Sequence, residues 1–281
     1  MKLLAPAKLN LFLRILGRRP DGYHDLQTLF QKITLFDEVE LFKATGIALE
    51  VEGEAPGGRE NLCFRAAELF FREAAVEGGV FIRLRKRIPP GTGLGGASSD
   101  AAAVLQGLSR LYPGHLSPEA LYRMGVRLGA DVPFFLSPYA TALGEGLGER
   151  LTPWPTPHAW YVVAVPSFRV STAWAYAQLK LTKRKRPLNY APENFYWESL
   201  VNDFEALIFE AYPEAAELAE ALKAAGALAA HLTGSGSALF GAFRERAEAE
   251  RAVEKLAQRF PEARFFVVTN LKEGDPCSSI T

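Results

Sequence analysis

The run Pro89-Pro90-Gly91-Thr92-Gly93-Leu94-Gly95-Gly96-Ala97-Ser98-Ser99 constrains this chain more than any other stretch, because it sets four glycines in six positions. Each glycine costs backbone entropy when ordered, so such density is not a packing device. It permits a tight path without Cβ atoms, along which backbone N–H groups converge on an anion. Asp100-Ala101-Ala102-Ala103-Val104-Leu105 follow at once, mostly small residues and good helix formers. A helix starting near Ala97 aims its unpaired N–H groups and positive dipole end at the same anion. The stretch reads as a phosphate-binding loop feeding a helix N-terminus.

Two common designs of such a loop do not fit. A Walker loop needs Gly-Lys-Ser/Thr after its first glycine, and no lysine follows these glycines. The dinucleotide pattern G-x-G-x-x-G is formally matched by Gly91, Gly93 and Gly96. That pattern wants its first glycine directly off a buried parallel strand and an acid about twenty positions on. Here two prolines intervene, the strand Val80–Lys86 alternates with charge, and Leu111-Tyr112-Pro113-Gly114 occupies the ribose position.

Charge narrows the partners further. Thirty-two basic and thirty-two acidic side chains leave no net field, which argues against nucleic acid or an anionic membrane as chief partner. Cys63 and Cys277 make no disulfide framework, and Cys63 reads as a small buried hydrophobe. No leader pattern opens the chain and no apolar run approaches the length of a membrane span, so the expectation is a cytoplasmic protein. A monomer or weak homodimer is expected.

The loop resembles the central motif of the GHMP small-molecule kinases, P-x-G-x-G-L-G-S/G-S-S, with Ala97 where many members carry glycine or serine. The resemblance implies an α+β fold of two domains, with mixed and antiparallel sheets, helices on one face and an active site between the domains. It also implies ATP, held by Pro89, Pro90, Gly91, Thr92, Gly93, Leu94, Gly95, Gly96, Ala97, Ser98 and Ser99, with Lys86 near the adenine. Magnesium is expected with ATP; no carboxylate cluster announces its site, and Ser98 or Ser99 are the candidate contacts.

Three further motifs point to one branch of that family, the 4-diphosphocytidyl-2-C-methyl-D-erythritol kinases, and a fourth to the family as a whole. Pro6-Ala7-Lys8-Leu9-Asn10-Leu11 lies in a strand over Leu3–Leu16, whose alternation sets Lys8, Asn10 and Phe12 on one face and Leu9, Leu11 and Leu13 on the other. Alone, such a lysine and asparagine read as solvated edge positions; the resemblance puts Lys8 beside the transferred phosphoryl group and Asn10 at the substrate. Arg18-Arg19-Pro20-Asp21-Gly22-Tyr23-His24 is a turn by its chemistry. In the branch, its tyrosine and histidine bind cytosine, Tyr23 by stacking and His24 through the polar edge. Gly129-Ala130-Asp131-Val132-Pro133-Phe134 resembles the catalytic aspartate motif, which makes Asp131 the base and Lys8 its cationic partner. Thr233-Gly234-Ser235-Gly236-Ser237 resembles the third GHMP motif, between strands Leu228–Leu232 and Ala238–Phe243. Thr172, Gly234 and Ser235 are expected substrate contacts, and Tyr176 corresponds in position to the second aromatic of a cytosine sandwich.

Between these motifs, short strands are expected at Ile33–Phe36, Glu38–Leu41 and Ile47–Val51, and helices from Asn61 and from Ser117-Pro118. Ala142–Glu149 reads as a glycine-rich hairpin and Lys180–Arg186 as a solvated basic loop. Trp154-Pro155-Thr156-Pro157 is the expected boundary between domains 1–155 and 156–281. The tail from Gly274 to Thr281 is expected to fray. The resulting expectation is a kinase that transfers the γ-phosphoryl group of ATP to the 2-hydroxyl of 4-diphosphocytidyl-2-C-methyl-D-erythritol. The alternatives are another GHMP alcohol kinase, of homoserine or mevalonate type, and a nucleotide-binding sensor without catalysis.

Overall fold

A computed structural model describes residues 1–179, 185–187, 195–272 and Gly274. Its backbone is organised on β2 (His24–Ala44), a single strand of 21 residues where the pattern suggested several shorter ones. No glycine or proline interrupts that stretch, so nothing forces a break. β1 (Lys2–Arg18) runs antiparallel along one edge of β2. Along the other edge, β5 (Thr141–Gly146) pairs with its first part and β4 (Gly79–Arg85) with its last. β3 (Ile47–Glu52) lies parallel to β4, joined to it through α1 (Leu62–Ala74), and β6 (Arg150–Pro153) completes the expected glycine-rich hairpin with β5. The helices α1, α2 (Gly96–Leu111), α3 (Pro118–Leu128) and the short α4 (Val132–Leu136) belong to this half. Phe70, Val104 and Leu108 pack with Leu3, Val39, Leu41 and Ile82 of the sheet, and the fully buried Cys63 joins them.

A second, antiparallel sheet has the order β10 (Arg264–Thr269), β7 (Trp160–Val165), β9 (Leu239–Phe243), β8 (Ala229–Leu232). With it go α5 (Thr172–Gln178), α6 (Glu205–Ala211), α7 (Pro213–Ala224) and α8 (Arg246–Arg259). Alternation divides its side chains between two cores. Val162, Ala164, Leu239 and Phe243 pack with Ile208, Leu218, Leu222 and Leu256 of the helices. Tyr161, Val163, Phe240 and Ala242 pack with Leu9, Leu11, Phe12 and Ile33 of the first sheet. The chain passes from one sheet to the other between Pro153 and Trp160, and the two halves share a core.

Register shifts in β1 decide which residues face the site. One lies between Pro6 and Ala7. Before it Leu3 and Ala5 pack toward α1 and α2, and after it Ala7, Leu9 and Leu11 pack toward the second sheet. A bulge exchanges the faces of a strand, so Lys8 and Asn10 turn to the α2 side. A second shift between Asn10 and Phe12 corrects the simple alternation: Phe12 joins Leu9 and Leu11, while Leu13 enters the core of the other half. Beyond it β1 is covered rather than left as a free edge, for Leu13 N–H donates to the Val201 carbonyl at 2.8 Å and Asp203 N–H to the Leu13 carbonyl at 2.9 Å.

Of the basic run, residues 180–184 lie outside the described residues, and Lys185 is tied to Asp203 at 2.8 Å. Cys277 and the tail, except Gly274, also lie outside them. Among the described residues no helix is long and apolar enough to cross a membrane.

Candidate active site

The glycine loop runs from Ile88 to the start of α2, with φ of +70°, +82° and +73° at Gly91, Gly93 and Gly95. Only glycine takes this region repeatedly without strain. Crowding adds a second requirement. A Cβ on Gly93 would collide with the Thr233 carbonyl oxygen, and one on Gly95 would come within 3.0 Å of Lys8 Cγ and the Phe135 ring. The loop therefore packs its backbone directly against both halves of the protein. Lys8 N–H donates to the Leu94 carbonyl at 2.9 Å and Ala238 N–H to the Thr92 carbonyl at 3.0 Å. Gly95 caps α2 without a side chain, which leaves the first N–H groups of this helix available for an anion.

The loop's near end is held by a buried ion triad. Lys86 Nζ bonds Asp37 and, at 2.6 Å, Asp100 of α2. Asp37 also accepts from the backbone N–H groups of Arg87 at 2.5 Å and Ile88 at 2.8 Å. One residue of β2 thus fixes both the lysine and the chain leading into the loop. Burial pushes the Asp100 carboxyl well above the usual carboxylate range, with Lys86 opposing it. Burial also works against the Lys86 ammonium, but Asp100 and Asp37 outweigh it and raise its pKa. The lysine expected at adenine is therefore engaged inside the protein, between two carboxylates.

Lys8 and Asp131 meet across the floor of the site. Their Nζ and Oδ2 atoms lie 3.6 Å apart, with the lysine side chain 3% and the aspartate 32% exposed. Asp131 stands at the N-cap position of α4 without capping it, so its carboxylate is available to the cleft. Burial lowers the Lys8 pKa below 10.5, and the Asp131 charge opposes that shift. Asn10 is not presented to the cleft: its Oδ1 accepts from Lys8 and its Nδ2 donates to Thr28 Oγ1 at 2.8 Å. It positions the ammonium. Ser98 Oγ faces this side, 3.8 Å from a Cβ placed on Gly129, whereas Ser99 is buried and lines a separate cavity of about 550 Å³ behind α2. Among the described residues no cluster of three His, Cys, Asp or Glu could hold a metal.

Tyr23, His24, Thr172 and Tyr176 converge on one cavity of about 1140 Å³, which Gly129 and Ala130 extend toward Asp131. Tyr23 is 63% exposed at its entrance. The His24 and Tyr176 rings stack at 5.0 Å, and Phe204 meets Tyr176 edge-on at 4.9 Å. Burial and then the Arg18 charge lower the His24 pKa, which keeps the ring neutral at pH 7. The Tyr176 phenol is pushed up by burial and then by the Asp131 charge. Arg18, at the head of the turn motif, and Arg127 of α3 also line the cavity.

The third motif joins the two sides. Thr233 Oγ1 accepts from Asn10 N–H at 2.9 Å and donates to the Gly93 carbonyl at 3.3 Å. Ser235 and Thr172 hydroxyls lie 2.9 Å apart, and Asn202 Nδ2 holds the Leu232 and Gly234 carbonyls at 2.9 and 2.8 Å. Asn202 is thus structural. Asp37 and Thr233 were missed as site residues. The only hint of Asp37 was an acid directly after the apolar run Ile33–Phe36.

The sequence and the fold are both shared with known proteins. The N-terminal domain of the GHMP kinases matches residues 61–138 and the C-terminal domain residues 190–262. The 4-diphosphocytidyl-2-C-methyl-D-erythritol kinase of Citrifermentans bemidjiense is 41% identical over 92% of this chain and 95% of its own. That of Geobacter sulfurreducens is 42% identical over the same shares. A crystal structure of 4-(cytidine 5'-diphospho)-2C-methyl-D-erythritol kinase superposes with a TM-score of 0.83 at 38% identity, covering 97% of this chain and all of the other. Homoserine kinase from Cytophaga hutchinsonii, with a TM-score of 0.70 at 18% identity over 97% of this chain and 96% of the other, shares the fold alone.

Proposed function

The chain belongs to the GHMP kinases and, within them, to the 4-diphosphocytidyl-2-C-methyl-D-erythritol kinases, and on that premise we propose how its residues carry out the transfer. The reaction moves the γ-phosphoryl group of ATP to the 2-hydroxyl of the cytidyl substrate, in the methylerythritol phosphate route to isoprenoids. The observation that carries the assignment of roles is the 3.6 Å approach of Lys8 to Asp131, between the phosphate loop and the cavity of Tyr23 and His24.

Asp131 accepts the proton of the 2-hydroxyl as its oxygen attacks the γ-phosphorus and the bond to the β-phosphate oxygen breaks, releasing ADP. Lys8 stabilises charge on the moving phosphoryl group and, 3.6 Å away, orients the Asp131 carboxylate; its burial makes that charge act through a medium of low dielectric. The loop from Pro89 to Ser99 cradles the nucleotide phosphates with backbone N–H groups. Positioning supplies much of the acceleration, since phosphoryl transfer asks for little covalent help from protein. Tyr23 and Tyr176 flank the cytosine and neutral His24 bonds its edge, while Arg18 and Arg127 draw the diphosphate. Thr172, Gly234 and Ser235 border the acceptor. Ser98, on the Asp131 side of α2, would be the hydroxyl to hold the magnesium expected with ATP, which would supply neutralisation of phosphate charge. The enzyme acts in the cytoplasm as a monomer or weak homodimer.

A coupled assay of ADP release with the cytidyl substrate tests these roles. Asp131→Asn should lower kcat by roughly 10²–10⁴-fold with the fold intact, and Tyr23→Ala should raise KM for the acceptor. Unchanged kcat in Asp131→Asn removes the base assignment.

A further inference from the structure

The cations beneath the loop are already paired. Lys8 faces Asp131, and Lys86 lies between Asp37 and Asp100. A nucleoside triphosphate brings several negative charges to this place. The helix dipole contributes only about half an elementary charge.

Arg169 is an exposed cation at the mouth of the loop, and it comes from the other half of the protein. Its Nη1 donates to the Pro90 carbonyl at 3.2 Å and lies 3.8 Å from a Cβ placed on Gly91. Its Nη2 is ion-paired with Glu54, which follows β3. Both of these side chains are more than half exposed, at 56% and 61%. The backbone beneath Arg169 is anchored: Phe168 stacks on Tyr212 at 4.5 Å and Val170 is buried in the core with Leu232. The guanidinium is therefore presented from a fixed base, within reach of whatever the loop holds.

We propose that Arg169 is a nucleotide-binding residue that engages a phosphate oxygen of ATP over Gly91, with Glu54 as the anion that competes for its guanidinium. A guanidinium makes paired, directional bonds to phosphate, which suits this edge-on approach. The inference rests on the kinase reading above. If it is right, removing the competitor strengthens nucleotide binding. A latch that merely joined the two halves would predict the opposite.

The test is equilibrium binding of a non-hydrolysable ATP analogue with magnesium, by calorimetry, to wild type, Arg169→Ala, Arg169→Lys and Glu54→Gln, with ADP release measured alongside. Arg169→Ala should weaken binding about tenfold, as expected for a hydrogen bond to a charged group. Arg169→Lys should recover part of that, and Glu54→Gln should tighten binding about two- to threefold. Binding in Arg169→Ala should also depend less on salt than in wild type. The proposal is overturned if Arg169→Ala stays within twofold of wild type, or if Glu54→Gln weakens binding as much as Arg169→Ala does. Failure of wild type to bind the analogue or release ADP would instead overturn the kinase reading.

Discussion

Replacing Lys86 by methionine removes the only cation of the triad and leaves Asp37 and Asp100 facing one another, with 0% and 2% of their side chains exposed. Breaking a buried pair by removing one partner costs about 3–5 kcal/mol, because an uncompensated charge stays behind. For a chain of this size that corresponds to a fall in Tm of about 10 °C. The loss should depend on pH with a defined sign. The Asp100 pKa is raised in the folded protein, and losing Lys86 raises it further, whereas the unfolded value is near ~3.9. A group raised on folding stabilises the fold at low pH and forfeits that contribution as pH rises through the folded value. The deficit of Lys86→Met relative to wild type should therefore be smaller near pH 4.5 than at pH 8. Adding Asp100→Asn should restore part of it. Thermal and urea unfolding followed by circular dichroism across that range measures all three proteins. A deficit below about 1 kcal/mol at pH 8, or one that does not shrink in acid, refutes the reasoning.

Gly93→Ala places a side chain at φ +82° against the Thr233 carbonyl, so the loop must shift; nucleotide affinity should fall at least about tenfold by titration, beyond the ~1–2 kcal/mol of backbone strain. The alkaline limb of the kcat–pH profile should lie below 10.5, since folded Lys8 loses its proton earlier than a free lysine, while Tyr176 is raised out of that range. The acceptor KM should be flat above pH 6.5 and rise below it as His24 takes up a proton, and His24→Gln should abolish that acid dependence.

Much of this site is legible one motif at a time. Glycine density and a following run of helix formers act within a few residues, so the loop and α2 can be read directly from the chain. The turn at Gly22 and the N-cap of α3 at Ser117 are equally local. Residues whose roles depend on distant partners read less well. The partner of Lys86, Asp37, lies 49 positions away, and nothing local shows that Lys8 and Thr28 take both ends of the Asn10 amide. Phe12 was placed on the wrong face because a period of two cannot anticipate a bulge.

By itself the sequence determined that this chain makes a tight glycine loop ahead of a helix and carries a lysine, an aspartate and a tyrosine–histidine pair in family motifs, since such signals depend on residue type and spacing. Only the tertiary structure decided which charges neutralise one another. The bulge at Pro6 and Ala7 turns Lys8 toward Asp131, the register of β2 sets Asp37 under Lys86, and packing of the second sheet brings Arg169 over Gly91. Ion pairing falls off over a few ångströms, so it is settled by which strands lie side by side and cannot be read from order along the chain.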